Sequence, residues 1–241
     1  MKTVSFDIET VLDHEVAERC DYTPSDEFAP FTLHQIVCAS AFSVTRMVDG
    51  EHLYAVESFS RRTHSEAGLI ASVEAAVADA NVVFTFNGIR FDLPVLATRA
   101  MVHEVHVPRL IDLQNRSRVG RHADLFEQVK RDAAPVSLRQ LCSPFSIPVK
   151  QTPAARVAKL VADGDWTKLE SYCETDAVGC WLAAQFWGKV QEPGLARQTW
   201  RDFATWITDH VDEHPGLASF AEVPDVPRSS FRWADVDSLV F

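Results

Sequence analysis

The sequence predicts an α/β fold from three observations. Four strand-like runs lie within residues 2–86, and helical patterns dominate the chain after residue 90. Hydrophobic residues between the third and fourth runs recur at helical spacing, namely Leu69, Ile70, Val73, Ala76 and Val77. With 241 residues, of which 46% are hydrophobic and 24% charged, the chain is expected to form one sizeable folded core.

Strands are expected mainly before residue 87, and helices are expected to dominate after it. The strands are expected at residues 2–9, 35–44, 51–59 and 81–86. Helices are expected near residues 64–80, 91–102, 122–132, 137–145, 153–163 and 166–191. Ser137 and Gln140 fit a capping box, and Pro144 and Pro148 mark the break that follows. Residues 13–33 are polar and are expected to form a long loop, and roughly the last 25 residues an irregular tail.

The sequence shows neither a targeting signal nor a metal-binding cysteine motif. The first residues do not resemble a signal peptide, and no apolar run reaches the length of about 18 residues that a membrane helix needs. We therefore expect a cytoplasmic protein with no membrane partner. The five cysteines form no CxxC pair, which disfavours zinc and a disulfide framework and favours buried thiols.

Acidic residues dominate the chain except in its middle third. The net charge of −11 argues against a nucleic-acid partner, whose usual footprint is basic. However, residues 90–160 hold 12 Lys and Arg against 6 Asp and Glu. This segment could contact phosphate groups, or its basic residues could simply form solvated helix faces.

The first strand carries two carboxylates on one face. Val4, Phe6 and Ile8 alternate as in a half-buried strand, so Asp7 and Glu9 project side by side from the opposite face. Adjacent carboxylates repel each other unless a positive charge lies between them, and hard oxygen ligands suit Mg²⁺ or Mn²⁺. A solvated acidic edge strand would produce the same residues.

A third acid, Asp92, follows a strand and opens a helix. In FTFNGIRFDLPVL, a strand enters the Asn87–Gly88 turn and a helix begins near Asp92. Asp92 could serve only the helix N-terminus. However, functional groups of α/β folds gather where strands end, and the first strand is expected to lie alongside.

A fourth acid lies on the apolar face of a long helix. One face carries Leu169, Tyr172, Cys173, Asp176 and Cys180. A carboxylate on a buried stripe is costly unless it is paired, protonated or bound to metal. Because none of these positions holds a basic residue, a metal ion is the preferred partner of Asp176. The alternative is an aspartate that caps a neighbouring loop.

The order of these motifs resembles a known enzyme family. FDIET, FNGIRFD and YCETD are similar to the three exonuclease motifs of the DEDD superfamily of 3′–5′ exonucleases, in the subgroup whose third motif is Tyr-x-x-x-Asp. The chain most resembles the predicted exonucleases related to the proofreading domain of family B DNA polymerases. HQIVCASAF, RHADLFEQV, SLRQLCSPFSIPVK and GDWTKLESYCETDAVGCWLA extend the resemblance over roughly residues 2–190, although the family's GIPGK turn reads SIPVK here.

The resemblance implies an RNase H-like fold, with a mixed five-stranded sheet flanked by helices. The implied ligands of two Mg²⁺ or Mn²⁺ ions are Asp7, Glu9, Asp92 and Asp176. Tyr172 would orient the attacking water, because a phenol with a pKa of about 10 is a poor base at neutral pH. Asn87 and Phe91 would lie near the terminal nucleotide. Residues 1–192 would form the exonuclease domain, and residues 193–241 a C-terminal helical extension and irregular tail.

The sequence thus predicts a metal-dependent 3′–5′ exonuclease that acts on single-stranded nucleic acid, with DNA favoured over RNA. Any role in DNA repair or replication would be exerted in trans, on strands made by a separate polymerase. Two alternatives stay open: a catalytically inactive RNase H-like binding or assembly module, and an endonuclease of the RNase H or integrase type. Residues 13–33 leave the strand that bears Asp7 and Glu9, so we expect them to border the substrate path. No protein partner is indicated.

Overall fold

A computed structural model gives the fold of the protein. It describes residues 1–24, 28–114, 121–131, 133–150 and 155–225. These ranges form a five-stranded sheet flanked by helices. None of the helices in them is both long and apolar enough to cross a membrane.

The sheet is mixed, and its first strand lies at the centre. The strands are β1 (Lys2–Leu12), β2 (His34–Arg46), β3 (His52–Ser60), β4 (Val82–Thr85) and β5 (His122–Asp124). Their order across the sheet is β3-β2-β1-β4-β5. β1 runs antiparallel to β2 and parallel to β4, β2 is antiparallel to β3, and β4 is parallel to β5.

Helices cover both faces of the sheet. They are α1 (His14–Arg19), α2 (Glu66–Val77), α3 (Asp92–Val102), α4 (Pro108–Gln114), α5 (Leu125–Lys130), α6 (Leu138–Cys142), α7 (Ala155–Asp163), α8 (Trp166–Gly188) and α9 (Pro193–Asp209). Short 3₁₀ helices occupy Phe31–Leu33, Ser143–Phe145 and Pro215–Ala221. The last of these is called the C-terminal 3₁₀ helix below.

The alternation predicted for β1 divides the core into two parts. Val4, Phe6 and Ile8 pack with α2, α3 and α4 on one face of the sheet. On the other face, α8 and α9 pack against Phe42, and their Trp181 and Trp200 are almost fully buried. Because β1 is covered on both sides, polar side chains near its middle, such as Ser5 and Glu9, are buried.

Several expected boundaries are wrong in detail. The helix expected at 122–132 begins only at Leu125, because residues 122–124 pair with β4 as a short parallel strand. The loop expected at 13–33 contains α1 and a 3₁₀ helix, and Asp13 caps α1 by accepting the Val16 N–H at 3.1 Å. The C-terminal 3₁₀ helix lies in the expected tail, whose residues after 225 fall outside the described ranges.

Two local predictions can be compared directly with the structure. The capping box at the start of α6 is confirmed, with Ser137 and Gln140 each accepting the other's backbone N–H. All the cysteines are free thiols, and they are buried as expected except at Cys20, which is exposed.

A buried ion-pair network joins the end of β1 to α2, α3 and β2. Arg99 donates to the two carboxylate oxygens of Glu66 at 2.7 and 2.6 Å, and to Asp13 at 2.8 Å. Glu66 also accepts the Ile36 N–H at 2.8 Å, and His103 Nε2 lies 2.9 Å from it. Burial alone would raise the pKa of Glu66, but these hydrogen bonds outweigh it and lower the pKa below the ordinary 4.5.

A second buried carboxylate holds the turn between β4 and α3. Asp124, the last residue of β5, accepts the backbone N–H groups of Asn87 at 3.0 Å and Ile89 at 2.9 Å. Asn87 adopts a left-handed φ of 64°, and a Cβ atom at Gly88 would lie 2.6 Å from the Thr85 side chain. Hydrogen bonding and close packing together therefore fix where α3 begins.

We predict that Glu66→Gln lowers the free energy of unfolding by about 3 kcal/mol at pH 7, because it leaves buried Arg99 without its main carboxylate partner. The pKa of Glu66 is lower in the folded than in the unfolded chain. Its contribution is therefore fully present above the unfolded value of 4.5 and is lost as the pH falls through the folded pKa. Urea unfolding over a range of pH should show the gap to wild type narrowing in acid. The exposed Glu57→Gln is the control, and a gap of constant size would contradict the account.

We also predict that Asp124→Ala lowers the free energy of unfolding by about 2–4 kcal/mol, since each buried N–H left without an acceptor costs about 1–3 kcal/mol. Asp79 is an exposed aspartate that pairs with Lys2, so Asp79→Ala should cost less than about 1 kcal/mol. Guanidinium denaturation of both variants measures the difference. Equal losses in the two variants would show that the hydrogen bonds of Asp124 contribute little.

Candidate active site

Three carboxylates meet where β1 is crossed by α8. Asp7 and Glu9 lie on the α8 side of β1, and Asp176 extends from α8 toward them. One carboxylate oxygen from each lies within 4.8 Å of those from the other two, and no other group of this kind occurs within the described ranges. The β1–β2 register shifts between Glu9 and Thr10, a bulge of the kind often found beside active sites.

A lysine lies between two of these carboxylates. Lys150 Nζ is 2.5 Å from Glu9 Oε1 and 2.7 Å from Asp176 Oδ2. The sequence argument that Asp176 has no basic partner considered only its own helix face and is wrong, because the partner comes from a separate turn. The site therefore attracts positive charge even without metal.

Burial and mutual repulsion dominate the electrostatics of this group. Burial raises the pKa of Asp7 well above its ordinary value; Lys150 opposes this shift, and Asp176 and Glu9 add to it. Burial likewise raises the pKa values of Glu9 and Asp176 against the opposing effect of Lys150. Burial alone would lower the pKa of Lys150, but the surrounding carboxylates raise it, so the lysine is charged at neutral pH.

Asp92 lies beside this group, not inside it. It is the first residue of α3 and is buried. Burial raises its pKa to about 7, backbone N–H groups including that of Ile8 oppose the shift, and the charges of Asp124 and Glu9 contribute to it. Asp92 is therefore close enough to Glu9 for that charge to raise its pKa, but its carboxylate is not one of the three that lie within 4.8 Å of one another.

Tyr172 and Cys173 connect α8 to β1 and to solvent. Tyr172 lies one turn before Asp176, is half-buried, and lines an open groove together with Lys150. The Cys173 thiol donates to the main-chain oxygen of Asp7 at 3.2 Å. The third motif is thus fixed against the strand that carries the first.

The two residues predicted to contact the terminal nucleotide lie at the turn before α3. Asn87 is half-buried, and its backbone is held by Asp124. Phe91 packs edge-on against Phe28 and His34, with ring centroids 5.0 and 5.1 Å apart. Phe28 stacks on His34 at 4.9 Å and is 64% exposed, so it offers an aromatic surface to solvent.

Sequence reasoning missed three residues around the site: Lys150, Asp124 and Phe28. Lys150 was visible only as the last residue of the SIPVK turn, and Asp124 only within the RHADLFEQV stretch. Phe28 belongs to the segment expected to be a polar loop. A hydrophobic residue within such a loop is the one signal that could have drawn attention to it.

The side chains present fit divalent cations such as Mg²⁺ or Mn²⁺. All members of the set are hard oxygen donors, with neither thiolate nor imidazole among them. Lys150 supplies one positive charge to a region that also holds Asp7, Glu9, Asp92 and Asp176. One ammonium group leaves most of that negative charge unbalanced when the acids are ionised.

Comparisons with known proteins identified a family and a structural relative. A family profile described as a predicted 3′–5′ exonuclease related to the exonuclease domain of PolB matches residues 26–214. Among solved structures, the chain is similar to the family B DNA polymerase from the hyperthermophilic archaeon Pyrobaculum calidifontis, with a TM-score of 0.52 and 18% identity over 77% of this chain. The match spans 24% of the polymerase chain, about a quarter of its length. No curated protein matched.

These findings confirm the expected fold and the expected family. At 18% identity the polymerase supports the fold alone, an RNase H-like mixed five-stranded sheet flanked by helices. The family profile covers most of the described chain, including the second and third sequence motifs. The chain therefore belongs to the family of predicted 3′–5′ exonucleases related to the exonuclease domain of PolB.

Proposed function

We propose that the protein is a metal-dependent 3′–5′ exonuclease that hydrolyses the terminal phosphodiester bond of single-stranded nucleic acid, with DNA favoured over RNA. The observation that carries this proposal is the convergence of Asp7, Glu9 and Asp176 within 4.8 Å, on a fold shared with polymerase exonuclease domains. As part of the same proposal, residues 1–192 would form the exonuclease domain and residues 193–241 a C-terminal extension.

Asp7, Glu9 and Asp176 would hold divalent cations, and Asp92 at the start of α3 would complete the ligand set. When bound, Mg²⁺ or Mn²⁺ ions supply charge stabilisation for the attacking and leaving oxygens of an in-line displacement. The carboxylates would hold the ions and would not exchange protons with the substrate. Lys150 occupies part of this space and would have to move toward the substrate phosphate.

The remaining side chains act on water and nucleotide. Tyr172 would position the attacking water by one hydroxyl hydrogen bond. The water oxygen would form a bond to phosphorus and release one proton to solvent, while the bond from phosphorus to the 3′ oxygen breaks and that oxygen takes up a proton from solvent. A nucleoside 5′-monophosphate leaves. Phe91 and the exposed ring of Phe28 would stack on the terminal base, which would place the segment 13–33 beside the substrate path.

Two other functions make different predictions for one experiment. A 5′-labelled single strand incubated with Mg²⁺ should give a ladder of progressively shorter products. Internal cuts would support an endonuclease of the RNase H or integrase type. Binding without hydrolysis in either Mg²⁺ or Mn²⁺ would support an inactive binding module. Full activity in excess EDTA would contradict the metal-dependent mechanism.

We predict that Asp176→Asn reduces turnover to near background, whereas Tyr172→Phe keeps measurable activity with a loss on the order of 10²–10⁴-fold. The reason is that a ligand supports charge stabilisation, while the tyrosine hydroxyl only positions water. Substrate affinity should change little in Tyr172→Phe, because that hydroxyl acts mainly in the transition state.

Single-turnover rates in Mg²⁺, with binding measured separately in Ca²⁺, test this pair. The matched control is Tyr54→Phe, which removes the same hydroxyl from another half-buried tyrosine. Tyr54 lies on β3 and packs against Trp181 and Phe203, so its loss of a hydroxyl should leave the rate unchanged. A fully active Asp176→Asn enzyme, or a Tyr172→Phe enzyme that loses binding instead of rate, would show that the third motif is misassigned.

We also predict opposite effects of two substitutions on the metal-free protein. Asp7→Asn removes one of several repelling charges, so its melting temperature in EDTA should equal or exceed that of wild type. Lys150→Met removes the balancing ammonium group, so its melting temperature in EDTA should fall. Addition of Mn²⁺ should raise the melting temperature of Lys150→Met at least as much as that of wild type, and that of Asp7→Asn much less. Differential scanning calorimetry gives all of these values, and a large loss of stability in Asp7→Asn would indicate a purely structural role for Asp7.

A further inference from the structure

An open groove of about 630 Å³ adjoins the candidate active site. Lys150 and Tyr172 line it together with the turn at residues 146–149, the first half of α8 and the C-terminal 3₁₀ helix. The groove is therefore continuous with the place where the terminal phosphate would be cleaved.

Cations and hydroxyl groups line this groove. Its charged side chains are Arg139 and Lys150, and none of the described residues that line it is acidic. Its hydroxyl side chains, apart from Tyr172, are Ser143, Ser146, Ser171, Thr175 and Ser219. A second groove of similar size, about 640 Å³, is lined by three acids, Glu74, Asp79 and Asp112, together with Arg109 and Arg121. Of the two, the first is suited to a polyanion despite the net charge of −11.

Arg139 is available to an anionic ligand. It is exposed on α6, and no ion pair joins it to a carboxylate among the described residues. Other arginines of the middle third are engaged, since Arg90 pairs with Glu127 at 2.6 Å and Arg109 with Asp112 at 3.2 Å. Within the described part of the chain, Arg139 is thus a basic residue of this segment that faces the groove with its charge uncompensated.

The C-terminal 3₁₀ helix forms a fixed wall of the groove. Leu217 and Phe220 are fully buried, and the Trp200 indole donates to the Phe220 main-chain oxygen at 2.9 Å. Gly216 lies directly on α8, where a Cβ atom would be 2.5 Å from that of Ser171. The wall is therefore in place before any ligand binds.

We infer that this groove carries the sugar–phosphate backbone of the single-stranded substrate to the active site, with Arg139 as a phosphate contact and the C-terminal 3₁₀ helix as one wall. The inference rests on the proposed exonuclease function, because that function places the end of the strand beside Lys150 and Tyr172. A cationic groove that follows the backbone is the usual way in which single strands are held without sequence preference.

Two neighbouring residues of the C-terminal 3₁₀ helix give a matched test. Ser219 and Ala218 are both exposed, but only Ser219 lines the groove. Binding of a fluorescent oligothymidylate of about ten nucleotides is measured in Ca²⁺ by anisotropy. Ser219→Glu should weaken binding by about three- to tenfold, Ser219→Lys should strengthen it, and Ala218→Glu should leave it within about twofold of wild type.

The salt dependence of binding provides a second readout. Arg139→Gln should reduce the slope of log affinity against log salt by about 0.7, the value for one phosphate contact on a single strand. The control is Arg46→Gln. Arg46 is exposed and lies at the end of β2 away from Asp7 and Glu9, so its substitution should leave the slope unchanged.

The outcomes separate this inference from the function on which it rests. If wild type degrades the strand but Ser219→Glu binds as tightly as Ala218→Glu, the proposed role of the groove is wrong and the proposed exonuclease function is retained. If Ser219→Glu and Ser219→Lys change binding as expected but neither Mg²⁺ nor Mn²⁺ supports hydrolysis, the groove binds single strands and the proposed exonuclease function is wrong. If wild type neither binds nor cleaves single strands, both are overturned.

Discussion

The fold has to hold several carboxylates together beside the middle of its central strand, β1. Asp7 and Glu9 are forced to the same side of β1 by the alternation that buries Val4, Phe6 and Ile8 on the other. α8 then brings Asp176 into the same space, where burial raises the pKa of all three acids. Such a cluster lowers the free energy of unfolding unless cations accompany it. The arrangement is therefore better explained as a cation-binding site than as an element that stabilises the fold.

The other buried acids of the protein differ in how they are satisfied. Glu66 accepts a bidentate arginine and a backbone N–H, and Asp124 accepts the N–H groups that shape the turn before α3. Both have fixed donors from rigid elements. By contrast, Glu9 and Asp176 share the ammonium group of one lysine, Lys150. The scaffold carboxylates are satisfied by donors of their own, whereas these two acids depend on a single shared cation.

Most of the fold and part of the site could be predicted because they depend on regular periodicity. The alternation in β1 placed Asp7 and Glu9 on one face, and the helical spacing in α8 placed Asp176 in the interior. Lys150 follows no periodic pattern and meets Glu9 across 141 residues of sequence, so only the three-dimensional structure brings it into the site. β5 has three residues and draws its definition from pairing with β4, which local sequence does not encode.

The turn that delivers Lys150 shows how the departure from the family's GIPGK pattern is accommodated. Ser146 stands at the first glycine position and adopts a left-handed φ of 59°, a conformation that glycine reaches with less strain. Val149 stands at the second and packs with its half-buried side chain against the cluster that includes α8. The substitution therefore exchanges backbone freedom for a hydrophobic contact. Val149 directly precedes Lys150, whose ammonium group and backbone N–H both favour the charged form of Asp176 against the opposing effect of burial.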